Sequence, residues 1–174
     1  RLKRRYYSKP EGYEQILNEC TDTIIDEVER LRRLLDEFSQ FARMPAIKPV
    51  LTDINEVVKD SLRFYGEFPE NIELLSQYED NIPFVMIDPD QTKRAFFNII
   101  KNAVEAMPDG GKLMINTTLK EFKTGQKKEK YAEIEFSDTG IGMSKEDMNN
   151  LFTPHFSMKK GGAGLGLTIV KKII

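Results

Sequence analysis

The feature that most constrains the fold is the stretch from Glu11 to Met44, which has no proline and one glycine near its start. Its apolar residues recur at steps of three and four between charged ones, the period of an amphipathic α-helix. Such a helix runs roughly 50 Å, longer than a small domain needs, so its apolar side requires other helices, within this chain or from a second copy. The alternative, a core helix of the following domain, fits that length poorly. The apolar positions are Tyr13, Ile16, Leu17, Cys20, Ile24, Val28, Leu31, Leu34, Leu35, Phe38, Phe41 and Ala42.

The composition excludes several classes of protein. With 174 residues, 40% hydrophobic and 31% charged, the chain is expected to fold as one domain, or as a small domain plus an extended element. A net charge of −2 gives no general attraction to nucleic acid or to a membrane surface. The single cysteine, Cys20, rules out an internal disulfide framework, and no apolar run approaches the roughly 20 residues of a membrane span. We therefore expect a cytoplasmic segment that contacts neither nucleic acid nor membrane, whose parent protein could carry an inner-membrane anchor elsewhere.

The pattern changes after Pro45 and Pro49, which end the helix and form a short linker at residues 45–49. Helical and strand-like segments then alternate without an internal repeat. Asp53 is a candidate N-cap, and Asp88 with Pro89 is a strong helix start. This order predicts an α+β sandwich with helices on one face of a mixed sheet. The predicted helices begin after Asp53, after Asp88 and at Gly166, and the predicted strands are residues 71–79, 84–87, 112–122 and 130–137.

Two asparagines interrupt the predicted helix after Asp88. Asn98 and Asn102 are four residues apart, so their side chains share one face, one turn from each other. Asparagine is a poor helix former, and its amide oxygen suits a hard cation such as Mg²⁺. Two solvated surface amides would be the better explanation of the pair if no other motif accompanied it.

Six of the eleven glycines lie between Gly140 and Gly166. In "DTGIGM" (residues 138–143) an aspartate at the end of a strand precedes two glycines. A buried carboxylate there would accept a hydrogen bond from the exocyclic amine of adenine and repel the carbonyl oxygen of guanine. In "GGAGLGL" (residues 161–167) the chain enters a helix, whose free N–H groups suit phosphates. A flexible turn explains either motif alone, but the ordered set is more specific.

Four motifs together resemble the N, G1, F and G2 boxes of two-component sensor histidine kinases. They are "FNIIKNAVEAM", "DTGIGM", "LFTPHF" and "GAGLGL". The resemblance implies a GHKL-type (Bergerat) ATP-binding α/β sandwich at residues 50–174, truncated at its C-terminal end. Residues 1–44 resemble the end of the first helix and the second helix of the dimerisation and phosphotransfer hairpin. The wording of "NAVEAM" and "DEFSQFARMP" is most similar to nitrogen-regulation kinases of the NtrY and NtrB type.

The same resemblance assigns roles within the predicted ATP site. Asn102 would coordinate Mg²⁺ with support from Asn98, and Asp138 would read adenine, with Gly140 and Gly142 making room for the base. Residues 152–162 would form a mobile lid. Relatives carry a basic residue where this chain has Glu105, and Lys101, Lys159 and Lys160 are the candidate substitutes. The residues implied around the phosphates are Gly162, Gly164, Leu165 and Gly166.

The only histidine, His155, lies between Pro154 and Phe156 without an acidic neighbour. We therefore expect it to pack in the lid, and the phosphoacceptor histidine to lie upstream of Arg1. The resemblance implies a homodimer that passes the γ-phosphoryl group to that histidine and then to an aspartate of a response-regulator receiver domain. Hydrolysing relatives such as gyrase carry a glutamate where Asn98 stands, which favours transfer over hydrolysis here. A degenerate kinase that works only by dimerising is the other alternative.

Overall fold

The computed structural model describes residues 13–42, 46–124, 127–153 and 164–174. It divides into two units, and the described part of the first is a single 30-residue helix, α1 (Tyr13–Ala42). This confirms the predicted helix, and its described bounds lie inside the predicted ones. Among the side chains of α1 that the structure describes, five apolar ones are at least half exposed: Ile24, Ile25, Val28, Leu31 and Leu35. None of the described helices is both long enough and apolar enough to cross a membrane.

The second unit contains the remaining helices and strands. The helices are α2 (Ile54–Tyr65), α3 (Pro89–Glu105), α4 (Lys145–Asn150) and α5 (Gly166–Ile173). The strands are β1 (Val50–Thr52), β2 (Ile72–Tyr78), β3 (Val85–Ile87), β4 (Gly111–Thr124) and β5 (Lys127–Asp138). Strands β1 and β3 form an antiparallel ribbon. The second sheet has the order β2-β4-β5, in which β2 is parallel and β5 antiparallel to β4.

Side-chain caps start the two longer helices of this unit, as the sequence predicted. The carboxylate of Asp53 accepts the N–H of Asn55 at 2.8 Å and begins α2. The carboxylate of Asp88 accepts the N–H groups of Asp90 and Gln91, both at 3.1 Å, and begins α3 with Pro89 at its first position. These bonds satisfy N–H groups that have no partner within the helix.

The core lies between one face of the β2-β4-β5 sheet and helices α2 and α3. Alternation along β4 buries Leu113, Ile115 and Thr117, while the residues between them point to the other face. Phe96 of α3 packs on Phe136 of β5 with ring centroids 5.3 Å apart. Helix α5 packs against α3 and adds Ile169 and Val170 to the buried set. Helices on one face of a mixed sheet confirm the predicted α+β sandwich.

Two short elements were missing from the sequence-based prediction. Strand β1 has three residues, too few to show a period of two, and it exists through pairing with β3. Helix α4 has a clear local signal that was overlooked, a capping box in which Ser144 and Asp147 bond each other's backbone N–H. The linker boundary stays a prediction. Within the described part of that linker, the N–H of Lys48 donates to Asp88 Oδ2 at 2.8 Å.

Candidate nucleotide site

Helix α3 places Asn98 and Asn102 one turn apart at the border of the core. Both side chains are half-buried, while the neighbouring face of the helix is buried in the core. That buried face consists of Gln91, Thr92, Ala95, Phe96, Ile100, Ala103 and Val104. The two amides are therefore held by a helix whose position is fixed by packing, with their polar ends at its edge.

Asn98 contains an unsatisfied polar atom. Its Nδ2 is buried and has no hydrogen-bond partner among the described residues. A buried donor without a partner costs about 1–3 kcal/mol, so such groups in native proteins are usually completed by water or a ligand. Gly166, the first residue of α5, lies beside this amide: a Cβ on it would stand 3.9 Å from both Asn98 Cγ and Oδ1. The arrangement fits a site in which a bound polar group completes the hydrogen bonding of Asn98.

Asp138 is the last residue of β5, as predicted, but it is exposed rather than buried. Its pairing opposite Leu113 directs it to the helix side of the sheet. The strand ends there, so solvent reaches the side chain. Its Oδ1 accepts the N–H of Gly140 at 2.9 Å, which fixes one carboxylate oxygen and leaves the other available to an amine.

Gly140 has a packing reason of its own. A Cβ at this position would stand 2.6 Å from the carbonyl oxygen of Ala106, which belongs to the backbone at the end of α3. The next residue, Ile141, donates its N–H to the same oxygen at 3.0 Å. The absent side chain therefore lets the loop after β5 dock on α3. Whether it also makes room for a base stays a prediction.

The other described glycines of the two motifs have backbone reasons. Gly142 has a φ of +68° and Gly164 a φ of +65°, a conformation that other residues adopt only with strain. A Cβ on Gly142 would meet open space, so its role is the turn itself. The turn at Gly164 directs the chain into α5, which begins two residues later at Gly166.

The remaining predicted site residues are Leu165, Lys101 and four that the structure does not describe. The side chain of Leu165 is 3% exposed and packs in the core, and the predicted place of this residue around the phosphates stays a prediction. Lys101 is exposed and forms a 3.9 Å ion pair with Glu105 one turn later. Four expected residues lie outside the described part of the chain: His155, Lys159, Lys160 and Gly162.

The donors that the structure describes would suit Mg²⁺ only together with phosphate oxygens. The described residues include no cluster of three or more His, Cys, Asp or Glu side chains that could hold a metal. Two half-buried amides fit a cation that takes few protein ligands and keeps waters and phosphate oxygens. A groove of about 620 Å³ lies elsewhere, is lined mainly by apolar residues of β3, α3, β5 and α5, and contains none of the predicted site residues.

One residue next to the site, Thr139, was absent from the sequence-based prediction. The hydroxyl of Thr139 accepts the N–H of Lys112 at 3.0 Å and points to Met107 Sδ at 3.8 Å. These contacts join the loop after β5 to the start of β4 and to the turn after α3. The only local signal was the position of Thr139 between Asp138 and Gly140, and its partners are distant in sequence.

Comparison with known proteins agrees with this geometry. The chain is 32% identical over 163 residues to the sensory histidine kinase/phosphatase NtrB of Escherichia coli O157:H7, covering 91% of this chain and 46% of that protein. It is 32% identical over 183 residues to the nitrogen regulation protein NtrY of Azorhizobium caulinodans, covering 100% of this chain and 22% of that protein. The chain thus spans less than half the length of either relative.

The fold agrees as well. A mycobacterial sensor histidine kinase, MprB, superposes with a TM-score of 0.57 at 29% identity, over 74% of this chain and 78% of the MprB chain. The sequence profile of the histidine kinase-, DNA gyrase B- and HSP90-like ATPases matches residues 87–174, from the end of β3 through both glycine motifs. The sandwich, the asparagine helix and the two glycine motifs therefore lead to one conclusion: the chain belongs to the histidine kinase-, DNA gyrase B- and HSP90-like ATPase family.

Proposed function

We propose that the second unit binds ATP with Mg²⁺ and forms the catalytic portion of a sensor histidine kinase. The observation that carries the proposal is the buried Nδ2 of Asn98, which has no hydrogen-bond partner among the described residues. This amide lies one turn from Asn102 and beside Gly166, which has no side chain. A triphosphate with its cation would place acceptors and charge next to Asn98 Nδ2, which the described residues leave without a partner. The resemblance to NtrB and NtrY supports the kinase over other members of the family.

Each residue then has a chemical task. The free oxygen of Asp138 accepts the exocyclic amine of adenine, so guanine is rejected. Asn102 and Asn98 hold the end of the triphosphate nearest α3, with Asn102 as the Mg²⁺ ligand. Mg²⁺, when bound, offsets the negative charge of the phosphate oxygens. Gly164 and Gly166 offer backbone N–H groups to the phosphates at the start of α5, and the family resemblance assigns the same role to Gly162. Lys101 and Lys159 are candidate counter-charges.

The identity of residue 98 supports transfer over hydrolysis. An amide has no useful basicity, so Asn98 cannot take a proton from an attacking water. A histidine nitrogen needs less help, because its lone pair can attack the γ-phosphorus directly. The bond from that phosphorus to the oxygen bridging to the β-phosphate then breaks, and ADP leaves. The acceptor is proposed to lie upstream of Arg1, and an aspartate of a response-regulator receiver domain is the proposed next acceptor.

Helix α1 supports a homodimer. Its exposed apolar positions fall on steps of three and four, from Ile24 through Val28 and Leu31 to Leu35. A seam of this kind is stable in water only when another helix covers it. We propose that two copies pair through this hairpin segment.

Labelling with γ-³²P-ATP tests the proposed transfer. We expect the 174-residue chain to show negligible self-labelling and slow ATP hydrolysis. A longer chain that restores the upstream helix should acquire an acid-labile phosphoryl group on the restored histidine, and His155→Gln should leave that label in place. Label on the 174-residue chain that disappears in His155→Gln would overturn the assignment. Fast hydrolysis without label would favour an ATPase.

A further inference from the structure

Thr139 joins three elements around the predicted base-reading carboxylate. Its hydroxyl oxygen accepts the N–H of Lys112 at 3.0 Å, and the hydroxyl points to Met107 Sδ at 3.8 Å. Its own N–H donates to the carbonyl of Lys112 at 3.2 Å. One side chain thus ties the loop after β5 to the start of β4 and to the turn after α3.

The surroundings of Thr139 are shaped to receive it. A Cβ on Gly111 would stand 2.6 Å from Thr139 Oγ1 and 2.7 Å from Met107 Sδ, so a side chain at 111 would expel both atoms. The neighbouring Gly140 rests on the carbonyl of Ala106 in the same way. Thr139 and Gly140 therefore both dock at the C-terminal end of α3. The same helix carries Asn98 and Asn102.

The carboxylate of Asp138 depends on this docking. Among the described residues its one hydrogen bond is to the N–H of Gly140, which belongs to the same loop. That bond fixes the carboxylate relative to the loop, and the loop is fixed relative to α3 by Thr139 and Gly140. The backbone of Asp138 is held by β5, opposite Leu113, and the orientation of its carboxylate is set by a loop that docks on α3.

We propose that Thr139 is a positioning residue that determines base specificity. By holding the loop on Met107 and Lys112, it aims the free oxygen of Asp138 at the exocyclic position of a purine whose phosphates lie against Asn98 and Asn102. This inference rests on the proposed nucleotide site. A site that discriminates by one hydrogen bond needs its acceptor held within a fraction of an ångström, so a loosened loop loses selectivity before it loses binding.

Thr139→Val and Thr139→Ser form a matched pair. Valine keeps the shape of threonine and removes the hydroxyl, while serine keeps the hydroxyl and removes a methyl group. Inosine triphosphate is the matched ligand, because it differs from ATP only at one edge of the base, with a carbonyl oxygen in place of the exocyclic amine and a hydrogen on the adjacent ring nitrogen. Titration calorimetry of the 174-residue chain with each nucleotide and Mg²⁺ gives the ratio of the two dissociation constants, and melting without nucleotide measures any loss of stability.

We expect the wild-type chain to prefer ATP over inosine triphosphate. Thr139→Val should narrow that preference by about five- to tenfold, the equivalent of one neutral hydrogen bond, while Thr139→Ser retains it. If Thr139 were merely structural, Thr139→Val would lower the melting temperature and weaken the binding of both nucleotides equally. That result would overturn the inference. An unchanged ratio in Thr139→Val would also overturn it while leaving the nucleotide site intact. Equal affinities in the wild-type chain would instead reject Asp138 as the base reader and the inference with it.

Discussion

Gly166 lies against Asn98, such that a Cβ on the glycine would stand 3.9 Å from the amide carbon and oxygen. That is an ordinary van der Waals distance, so an alanine side chain fits here without moving the neighbouring atoms. Alanine also favours a helix more than glycine does. We predict that Gly166→Ala leaves the melting temperature unchanged or slightly raised but weakens ATP binding, because the methyl group occupies space that the phosphates need. Unchanged affinity would show that the space beside Asn98 is not used.

Gly140→Ala, unlike Gly166→Ala, is predicted to lower the melting temperature. Its Cβ would meet the Ala106 carbonyl at 2.6 Å, and a backbone oxygen cannot move aside cheaply. We expect a loss of about 1–3 kcal/mol in the free energy of unfolding, measured by urea titration, together with weaker nucleotide binding. A variant as stable as the wild-type chain would contradict the docking of this loop on α3.

Asn102 is predicted to carry the metal-dependent part of ATP binding. Asn102→Ala should keep the fold, because the side chain is half-buried at the edge of α3, and should reduce the gain in melting temperature that Mg²⁺ adds to ATP. Asn116→Ala is the matched control, since it removes an equally half-buried amide from β4. An undiminished metal-dependent gain in Asn102→Ala would argue against the metal role.

Asp88 links the linker to α3, and this link predicts a pH dependence. The N–H groups of Lys48 and Gln91 hold the pKa of Asp88 below its ordinary value. Because the folded pKa is the lower one, the stabilisation is present above about pH 4 and is lost as the pH falls through the folded value. We predict that the free energy of unfolding falls less steeply between about pH 5 and pH 2 in Asp88→Asn than in the wild-type chain. The free energy of unfolding is measured by urea titration at each pH. An equal change with pH in the variant and in the wild-type chain would contradict this prediction.

Local interactions explain which parts of this fold could be predicted from sequence. The caps at Asp53 and Asp88 and the helical spacing of the asparagines depend on residues a few positions apart, so the sequence predicted them correctly. The docking of Gly140 on Ala106, the contact of Thr139 with Met107 and the existence of β1 depend on partners 32 or more residues away. The exposure of Asp138 likewise depends on what surrounds the end of the sheet, which the pattern "DTGIGM" alone does not reveal.

Calorimetric titration of the 174-residue chain with ATP and with GTP, each with Mg²⁺, tests the central claim most directly. We predict clear binding of ATP and far weaker binding of GTP, because the free oxygen of Asp138 attracts an amine and repels a carbonyl oxygen. Asp138→Asn should make the free energy of ATP binding less favourable by about 1.5–3 kcal/mol, since a charged acceptor becomes a neutral amide. Equal affinities for ATP and GTP, or an Asp138→Asn variant that binds ATP as well as the wild-type chain, would contradict the account.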